Sequence, residues 1–338
     1  MISSESYQLF QRLCGEAQSF VLTTHINPDG DALGSQYSLA RFLVARGRQV
    51  RIINRDPVPE SLRFIVDPSI SLECYDAARH DEALHQADRV VLVDNSAPDR
   101  LGRMEPVMRA VAERVLCIDH HPMRSAPWAE TIVDEDSCAT AAMIFELVSA
   151  AGWKPDPTAA TAIYVGLVTD TGFFRFDSTN ARAHNVAAEL LRIGVRSAWA
   201  YQELYERNSV AFTRLLGHTL SGFQVSADGA LAWVTIPLDL VERLQAENED
   251  TSEIATALLA VGGVHVVALF RELARDQVKV SLRSKGDLNV HRLATEFGGG
   301  GHRNASGIVM PGSLDQVVAT ITERALALLS AEDSKRPA

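Results

Sequence analysis

Acidic and histidine side chains follow four apolar runs of the sequence, at the point where each run ends. The runs cover residues 20–24, 89–93, 115–118 and 163–169, and the side chains after them are His25, Asp29, Asp31, Asp94, Asp119, His120, His121 and Asp170. Each run reads as a strand, and the carboxyl ends of parallel strands lie along one sheet edge, where ligands bind. The sequence therefore predicts that these side chains share one pocket.

A pocket of this composition indicates divalent metal ions. Crowded carboxylates repel one another by several kcal/mol at low effective dielectric, so without a cation at least one would protonate. Imidazole and carboxylate ligands without a thiolate suit manganese or a similar metal better than a structural zinc. Six candidate ligands are too many for one metal with an open position, whereas two metals about 3.5–4 Å apart that share a bridging carboxylate would use all of them. We therefore predict a dinuclear site.

Each cluster taken alone has a simpler structural explanation. An isolated Asp after a strand is more often a helix N-cap or a turn residue than a metal ligand. Residues 27–31 also match the first half of a calcium-binding loop. That interpretation fails, because the sixth position would be Ala32 rather than Gly and the twelfth Ser38 rather than Glu. The combination of four clusters favours the metal site.

These segments resemble the motifs of the DHH phosphoesterases, a family named for the triplet that stands here at residues 119–121. The resemblance extends along most of the chain and includes the glycine-rich signature of the DHH-associated C-terminal domain. The five matching segments, in the order of the family, are residues 25–31, 93–94, 119–121, 166–172 and 298–307.

The resemblance implies two manganese sites that share Asp94. The ligands would be His25, Asp29 and Asp94 for one ion, and Asp31, Asp94, His120 and Asp170 for the other. His121 would not be a ligand but would face the substrate phosphate as a hydrogen-bond donor or general acid. Asp119 would orient the imidazoles, since histidines at metal sites generally have such a partner. Asp94 and His121 are thus the predicted catalytic residues.

A run of four glycines, Gly298–Gly301, precedes His302. It lacks the Lys-Ser/Thr of a Walker loop, and it does not follow a strand as a dinucleotide-binding loop would. Four glycines are costly as a purely structural turn, so we favour close approach of the backbone to a ligand, with the amides as an anion nest. The resemblance implies that the nucleotide part of the substrate is bound by Arg283, Gly299, Gly300, Gly301 and His302.

Charge and hydropathy narrow the class of partner. The 338 residues include 32 Lys and Arg against 43 Asp and Glu, a net charge of −11, which argues against long nucleic acid held through many phosphates. The sequence contains no uncharged apolar stretch of about 18 residues and no basic segment before an apolar run at the N-terminus, so we expect no membrane span or signal peptide. A cytoplasmic location is the expectation.

Strand-like and helix-like segments alternate in the first half, which predicts an α/β, doubly wound domain with a mainly parallel sheet. We expect this rhythm to continue to about Gly194, with Ser137 as the N-cap of a helix that ends near Gly152. Two hairpins and three helices follow and predict a smaller α/β domain, with the active-site cleft between the two domains. The predicted parts are a catalytic domain at 1–195, a helical linker at 196–220, a substrate domain at 221–330 and a flexible tail at 331–338.

Within the family, a short two-domain chain most resembles the NrnA-like group of oligoribonucleases (nanoRNases) and pAp (3′-phosphoadenosine 5′-phosphate) phosphatases. The implied substrates are short RNA oligonucleotides, mononucleotide bisphosphates and, for some relatives, cyclic or linear di-AMP, cleaved by attack of a metal-activated water on phosphorus. Alternatives are a RecJ-like single-strand exonuclease, a family II pyrophosphatase and a nucleotide-binding sensor that does not hydrolyse. Length and charge disfavour the first, the glycine-His signature the second, and the complete ligand set the third. The oligomeric state stays open, a homodimer included.

Overall fold

The computed structural model describes residues 2–122 and 127–333. The chain divides into two compact units, Met1–Arg207 and Asn208–Ala338, which we call unit 1 and unit 2. The division falls inside the segment predicted as a helical linker. Within the described ranges, no helix combines the length and the apolar composition needed to cross a membrane.

Unit 1 is built on a sheet of six strands in which every neighbouring pair is parallel. The spatial order of the strands is β3-β2-β1-β4-β5-β6, so the order reverses between β1 and β4. The strands are β1 (Ser19–Thr23), β2 (Gln49–Asn54), β3 (Leu72–Cys74), β4 (Arg89–Val93), β5 (Val115–Asp119) and β6 (Glu130–Val133).

In the part of unit 1 that the structure describes, eight α-helices accompany this sheet, together with three short 3-10 helices at Glu60–Ile65, Pro98–Met104 and Ala112–Arg114. The α-helices are α1 (Ser4–Glu16), α2 (Gly30–Ala45), α3 (Ala77–Gln86), α4 (Glu105–Ala110), α5 (Thr140–Ala150), α6 (Pro157–Asp170), α7 (Ala181–Ile193) and α8 (Ser197–Tyr205).

Both faces of the sheet are apolar, because successive side chains of a strand point to opposite sides and consecutive residues of β1, β4 and β5 are apolar and buried. Leu22 and Val91 join a core formed with α1, α2 and α5, whereas Val21 and Val90 join a second core formed with α3 and α4. Helices therefore cover both faces of a parallel sheet. The doubly wound α/β prediction is confirmed.

The segment 163–169, predicted as a strand, is instead part of helix α6. The carboxylate of Asp156 caps this helix by accepting hydrogen bonds from the backbone N–H groups of Thr158 and Ala159, 3.0 and 2.9 Å away. A continuous apolar run is typical of a buried strand and of a buried helix alike, so periodicity could not separate the two. The alternation of strands and helices ends at β6 and does not continue to Gly194.

Helices α2 and α6 approach each other closely because glycines stand at their contact. A Cβ atom on Gly34 would lie 2.3 Å from the carbonyl oxygen of Ala162, and one on Gly30 would lie 2.4 Å from Oγ1 of Thr169. Side chains at these positions would push the helices apart. The close approach brings the start of α2 to the end of α6, and therefore Asp31 towards Asp170.

The predicted N-cap of α5 is wrong. The helix begins at Thr140, and the hydroxyl of Ser137 donates to the carbonyl of Ala139 at 3.0 Å instead of capping it. The first N–H groups of α5, on Thr140 and Ala141, donate to the Asp31 carboxylate at 2.6 and 2.8 Å. The cap comes from a residue more than 100 positions away, which no local pattern can reveal.

Unit 2 contains a second six-stranded sheet, in the order β11-β12-β10-β9-β8-β7. The pair β8 and β9 is parallel and the other pairs are antiparallel. Both predicted hairpins, β7–β8 and β9–β10, are confirmed. The strands are β7 (Gln224–Val225), β8 (Leu231–Ile236), β9 (Val266–Ala274), β10 (Gln277–Ser284), β11 (Gly300–His302) and β12 (Ala305–Pro311).

Two helical layers pack on this sheet, one formed by α12 and α13 and the other by α9, α10 and α11. The predicted linker helices belong to the two units, since Ala200 of α8 joins a core of unit 1 and Phe212 of α9 a core of unit 2. Helix α13 extends three residues into the predicted tail, and residues 334–338 lie outside the described residues. The helices are α9 (Val210–Ser221), α10 (Leu238–Leu244), α11 (Ser252–Leu259), α12 (Val290–Glu296) and α13 (Leu314–Asp333).

Candidate metal centre

The candidate site lies at the carboxyl ends of β1, β4 and β5, where the strand order reverses. Thr23 of β1 is paired with Leu92 of β4, so His25 and Asp94 each stand two residues beyond a matched pair on neighbouring strands. The backbone N–H of Asp94 donates to the carbonyl of Ile118 in β5 at 2.9 Å. The register therefore places the ends of three strands side by side, as expected for a ligand site in an open parallel sheet.

A first group of ligand atoms surrounds the imidazole of His25. Its Nε2 lies 3.6 Å from Oδ2 of Asp29 and 3.4 Å from Oδ2 of Asp94. Its Nδ1 lies 2.7 Å from the carbonyl oxygen of Ile26. A proton on Nδ1 satisfies that carbonyl and leaves the lone pair of Nε2 directed at the two carboxylates.

A second group surrounds the imidazole of His120. Its Nε2 lies 3.1 Å from Oδ2 of Asp170, 3.6 Å from Oδ1 of Asp94 and 3.9 Å from Oδ2 of Asp31. Its Nδ1 lies 3.2 Å from the carbonyl oxygen of Ser137. The same tautomer therefore suits both histidines, with Nε2 available as a ligand.

Asp94 stands between the two groups and contributes one oxygen to each. Its carboxylate is buried, with Oδ2 near His25 and Oδ1 near His120. The hydroxyl of Thr140 donates to Oδ1 at 3.0 Å and fixes the orientation of the carboxylate. The backbone of Asp94 has φ = 58°, a left-handed conformation that is uncommon for residues other than Gly, Asn and Asp. Such local strain is typical of functional positions.

The carboxylates of this edge carry more negative charge than the surrounding protein neutralises. Burial raises the pKa of Asp31 well above its usual range, and the charges of Asp94 and Asp170 raise that pKa further. Burial also raises the pKa of Asp94. A bound cation would favour the ionised form of each group, so the donor set fits a metal site.

The two histidines show the same need for a cation. Nε2 of His25 and Nε2 of His120 are buried and have no hydrogen-bond partner within the described residues. Burial opposes protonation of His25, but the carboxylates of Asp29 and Asp94 raise its pKa to about 10. Burial likewise opposes protonation of His120, and the nearby Asp170 raises its pKa to about 9. A metal ion at either Nε2 would replace a proton.

His121 has a different environment from its neighbour His120. Its Nδ1 lies 2.9 Å from Oδ1 of Asp119, its backbone N–H donates to the same oxygen at 3.1 Å, and its side chain is 44% exposed. Burial opposes ionisation of Asp119, yet the contacts with His121 lower the pKa of this carboxyl. Asp119 therefore orients only one of the two imidazoles. Nδ1 of His121 also lies 3.7 Å from Oδ1 of Asp94, so the geometry alone also allows His121 to be a metal ligand.

The structure thus brings together the six residues predicted as metal ligands. Sequence reasoning missed Thr140, which donates to Asp94 through its hydroxyl and to Asp31 through its backbone N–H. It also missed the carbonyl of Ser137 as the partner of His120. These two residues follow β6 with no composition that points to carboxylate or imidazole partners, so no signal in the sequence distinguishes them.

The predicted substrate residues of unit 2 lie in neighbouring strands. Arg283 of β10 is paired with Ala305 of β12, which is paired in turn with His302 of β11. The backbone positions of Arg283 and His302 therefore lie two strands apart in one row, about 10 Å from each other. Arg283 is half-buried, donates to the carbonyl of Leu282 at 3.0 Å, and burial lowers the pKa of its guanidinium.

The glycine run forms the turn into β11 and then the strand itself. A Cβ atom on Gly299 would lie 2.3 Å from the carbonyl oxygen of Gly307, and one on Gly301, where φ is 134°, would lie 2.5 Å from that of Ala305. These two glycines thus have a packing requirement, an explanation that the sequence interpretation set aside. Gly300 is exposed, and a Cβ there would meet nothing within 4 Å, so close approach of a ligand stays a prediction for this residue.

Two segments of the chain match known protein families. Residues 19–167 match the DHH family, N-terminal domain, and residues 236–329 match the DHHA1 domain. The first match contains all the strands described for the sheet of unit 1, and the second covers most of unit 2.

Curated relatives with this arrangement have similar lengths. The chain is 34% identical over 303 residues to the bifunctional oligoribonuclease and PAP phosphatase NrnA of Thermus thermophilus, covering 89% of this chain and 87% of the relative. It is 30% identical over 296 residues to the protein of the same name from Bacillus subtilis, covering 86% and 88%. Among solved structures, an exopolyphosphatase-related protein from Bacteroides fragilis superposes with a TM-score of 0.87 at 28% identity, covering 97% of each chain.

Proposed function

The chain belongs to the DHH family and is a phosphoesterase, and from this premise we propose that it is a manganese-dependent oligoribonuclease and pAp phosphatase. The names of the two curated relatives described above support these substrates, and the imidazole and carboxylate donors support a metal of the manganese type. Short RNA and mononucleotide bisphosphates would be the substrates, and cyclic or linear di-AMP would be further candidates.

The observation that carries the proposal is the position of Asp94. Its two oxygens lie 3.4 Å from Nε2 of His25 and 3.6 Å from Nε2 of His120, with a separate set of carboxylates around each imidazole. Two divalent cations bound there would supply an activated water and neutralise the phosphoryl oxygens. We infer one ion at His25, Asp29 and Asp94, and a second at Asp31, Asp94, His120 and Asp170.

The chain's own groups hold this donor set in place before any substrate arrives. Backbone carbonyls accept from Nδ1 of His25 and of His120, so that both rings keep Nε2 free. Both oxygens of Asp31 accept backbone N–H groups at the start of α5, where the helix dipole favours negative charge. These contacts preorganise the ligands, which lessens the reorganisation that binding and reaction would require.

We assign proton transfer to the leaving oxygen to His121. Asp119 accepts from Nδ1 of His121 at 2.9 Å and fixes the ring, so that Nε2 is the atom that would carry the transferred proton. The lowered pKa of Asp119 keeps this carboxyl ionised, so that it remains an acceptor for the Nδ1–H group of His121. The side chain of His121 is partly exposed, as contact with a substrate requires.

We assign the nucleotide part of the substrate to Arg283, Gly299, Gly300, Gly301 and His302. A guanidinium can bind a phosphate through two parallel hydrogen bonds, and Arg283 stands in the same backbone row as His302. The net charge of −11 offers no extended basic track for a long nucleic acid. Binding energy should therefore saturate after a few nucleotides.

A substrate panel tests the proposal. The purified chain with Mn²⁺ is assayed on pAp, RNAs of two to five nucleotides, a 20-mer DNA, cyclic di-AMP and pyrophosphate, with Asp94→Ala as the inactive control. We expect phosphate to be released from pAp, and we expect the short RNAs to be hydrolysed faster than the 20-mer. Processive degradation of the 20-mer at an equal or higher rate would contradict the proposal and favour the RecJ-like alternative.

The substrate assignment in unit 2 has its own test. Arg283→Ala should lower kcat/KM on pAp and dinucleotides by the equivalent of about 1.5–3 kcal/mol, the usual scale for a charged hydrogen bond. The metal content should not change. Lys279→Ala is the matched control, because this exposed cation lies on the same strand. Unchanged kinetics of the Arg283 variant on short substrates would remove Arg283 from the site.

A further inference from the structure

An aromatic cavity lies directly after the metal ligand Asp170. Its volume is about 330 Å³, and it is lined by Gly172, Phe173, Arg175, Tyr201 and Tyr205. The three rings form a mutual cluster, with centroids 5.1 Å apart for Phe173 and Tyr201, 5.3 Å for Phe173 and Tyr205, and 5.4 Å for the two tyrosines. The function proposed above does not use this cavity.

The loop that carries Phe173 has an unfavourable backbone. Gly172, Phe173 and Phe174 have φ values of 55°, 56° and 67°, three consecutive left-handed residues of which two are bulky. Each such residue other than glycine costs free energy unless its surroundings hold it. Here the N–H of Phe173 donates to the carbonyl of Val168 at 2.8 Å, which ties the loop to the end of α6.

Packing explains one of the two phenylalanines better than the other. The ring of Phe174 stacks on that of His184 of α7 with centroids 4.8 Å apart, so its conformation contributes to the core of unit 1. The ring of Phe173 instead contacts Tyr201 and Tyr205, which are 42% and 41% exposed. The strained loop thus presents an aromatic surface to solvent, which packing alone does not require.

We propose that this cavity binds a nucleobase of the short RNA substrate, by stacking on the rings of Tyr201 and Tyr205. The inference deepens the proposed function and rests on it. Aromatic rings bind bases with little sequence preference, because every base has a π-face. Arg175 also lines the cavity, and its guanidinium lies over the ring of Phe176, 5.1 Å from the centroid. A guanidinium can stack on a base or contact a phosphate.

The position relative to the metal ligands supports a base of the same substrate molecule. Phe173 is three residues from Asp170, so their Cα atoms lie within about 11 Å of each other whatever the conformation of the loop. Both residues belong to unit 1 and are joined by the hydrogen-bonded end of α6. A short RNA with a phosphate bound by a metal ion at Asp170 therefore has this aromatic surface within the reach of its bases.

The test compares uridine with 5,6-dihydrouridine, whose saturated ring cannot stack, at each position of a uridine trinucleotide in turn. For the Mn²⁺-loaded wild-type chain we expect kcat/KM to fall roughly five- to tenfold when one particular position is saturated, the lower range for stacking of a base. In Tyr201→Ala the same replacement should change kcat/KM less than twofold. Tyr201→Phe keeps the ring and should keep the sensitivity.

Trp199→Ala is the matched control for helix α8. Trp199 lies on the same helix, but its ring packs edge-on against Phe64, 5.3 Å away, and lines a different cavity. This variant should retain the wild-type sensitivity to dihydrouridine. Tyr205→Ala serves as a second variant of the cavity should Tyr201→Ala fail to fold.

The possible failures are distinguishable. Equal rates on uridine and dihydrouridine at every position for the wild type, or an unchanged sensitivity in the folded Tyr201 or Tyr205 variant, would overturn the stacking site while the oligoribonuclease activity stands. Absence of hydrolysis of every trinucleotide by the wild-type chain would overturn the proposed function, and the stacking site with it.

Discussion

Two regions of unit 1 hold buried or partly buried carboxylates in opposite ways. Near the end of β6, Arg182 forms paired hydrogen bonds to Glu146 at 2.6 and 2.7 Å and a further one to Asp134 at 2.7 Å. At the ends of β1, β4 and β5, Asp31 and Asp94 are more deeply buried, yet the ionisable groups beside them are other carboxylates and imidazoles. An arginine neutralises the first region, whereas in the second the carboxylates outnumber the imidazoles beside them.

The difference appears in the ionisation of the two regions. At the ends of β1, β4 and β5, burial raises the pKa of Asp31 and of Asp94. At the arginine cluster burial opposes the charge of Arg182, but Glu146 and Asp134 raise its pKa beyond the usual range. Buried charges are retained where a partner exists. A region that keeps more buried carboxylates than positive partners is therefore suited to a cation that binds from outside.

The largest expected effect follows from removal of the shared carboxylate. Asp94→Ala should abolish turnover and reduce bound metal more than any other single ligand change, because its two oxygens face both groups. Metal analysis and steady-state kinetics on pAp check this expectation. Two equivalents of metal retained by the variant would rule out the bridging role.

A second prediction divides the adjacent histidines. His121→Ala should lower kcat by roughly 10²–10⁴, the usual scale for a general acid, and leave the metal content nearly intact. His120→Ala should lose metal, because its Nε2 faces three carboxylates. Metal loss in the His121 variant with metal retained in the His120 variant would reverse these roles.

The two regions should also respond oppositely when a charge is removed. Arg182→Met should lower the free energy of unfolding of unit 1 by about 1.5–3 kcal/mol, since it leaves two partly buried carboxylates without their arginine, and metal content should not change. Asp94→Asn should instead raise the stability of the metal-free chain, because it removes a buried charge. Chemical denaturation without and with Mn²⁺ measures both effects. A destabilised metal-free Asp94→Asn variant would contradict the comparison.

The smallest effect concerns a paired carboxylate at the edge of the sheet. Burial opposes ionisation of Glu73, but His80 and Arg51 lower its pKa to about 2. A pKa below the ordinary value of 4.5 means that the stabilisation is complete above that pH and is lost as the pH falls towards 2. Glu73→Gln should remove about 1 kcal/mol or less at pH 6 and less at pH 3. An equal loss at both pH values would show that the charge is irrelevant.

The sequence predicted the candidate site better than the elements that hold it. Three of the four ligand-bearing runs are strands, and their parallel order follows from ordinary rules of α/β folds. The fourth run, which carries Asp170, is a helix. Asp170 still lies beside His120, but helix packing rather than strand order brings it there. Small residues such as Gly34 and Gly166 let α6 pack against α2 and α5, and only three-dimensional packing shows what they contact.

Other contacts lie beyond any reading of a single sequence because they join distant parts of the chain. The cap of α5 comes from Asp31, and the hydrogen bond that orients Asp94 comes from Thr140. For the glycine run, the sequence suggested a function where the structure shows a packing requirement. Its composition suggested a ligand, yet Gly299 and Gly301 are required by the backbone of the adjacent strand whether or not a ligand binds.

Titration of the metal-free chain with Mn²⁺, followed by electron paramagnetic resonance, is the sharpest test of a centre shared through Asp94. We expect two equivalents bound per chain and a spectrum of two exchange-coupled ions, because one carboxylate contributes an oxygen to each site. Asp94→Ala should lose the coupled signal, whereas Arg182→Met should retain it. A single equivalent, or two ions without magnetic coupling in the wild-type chain, would contradict a centre shared through Asp94.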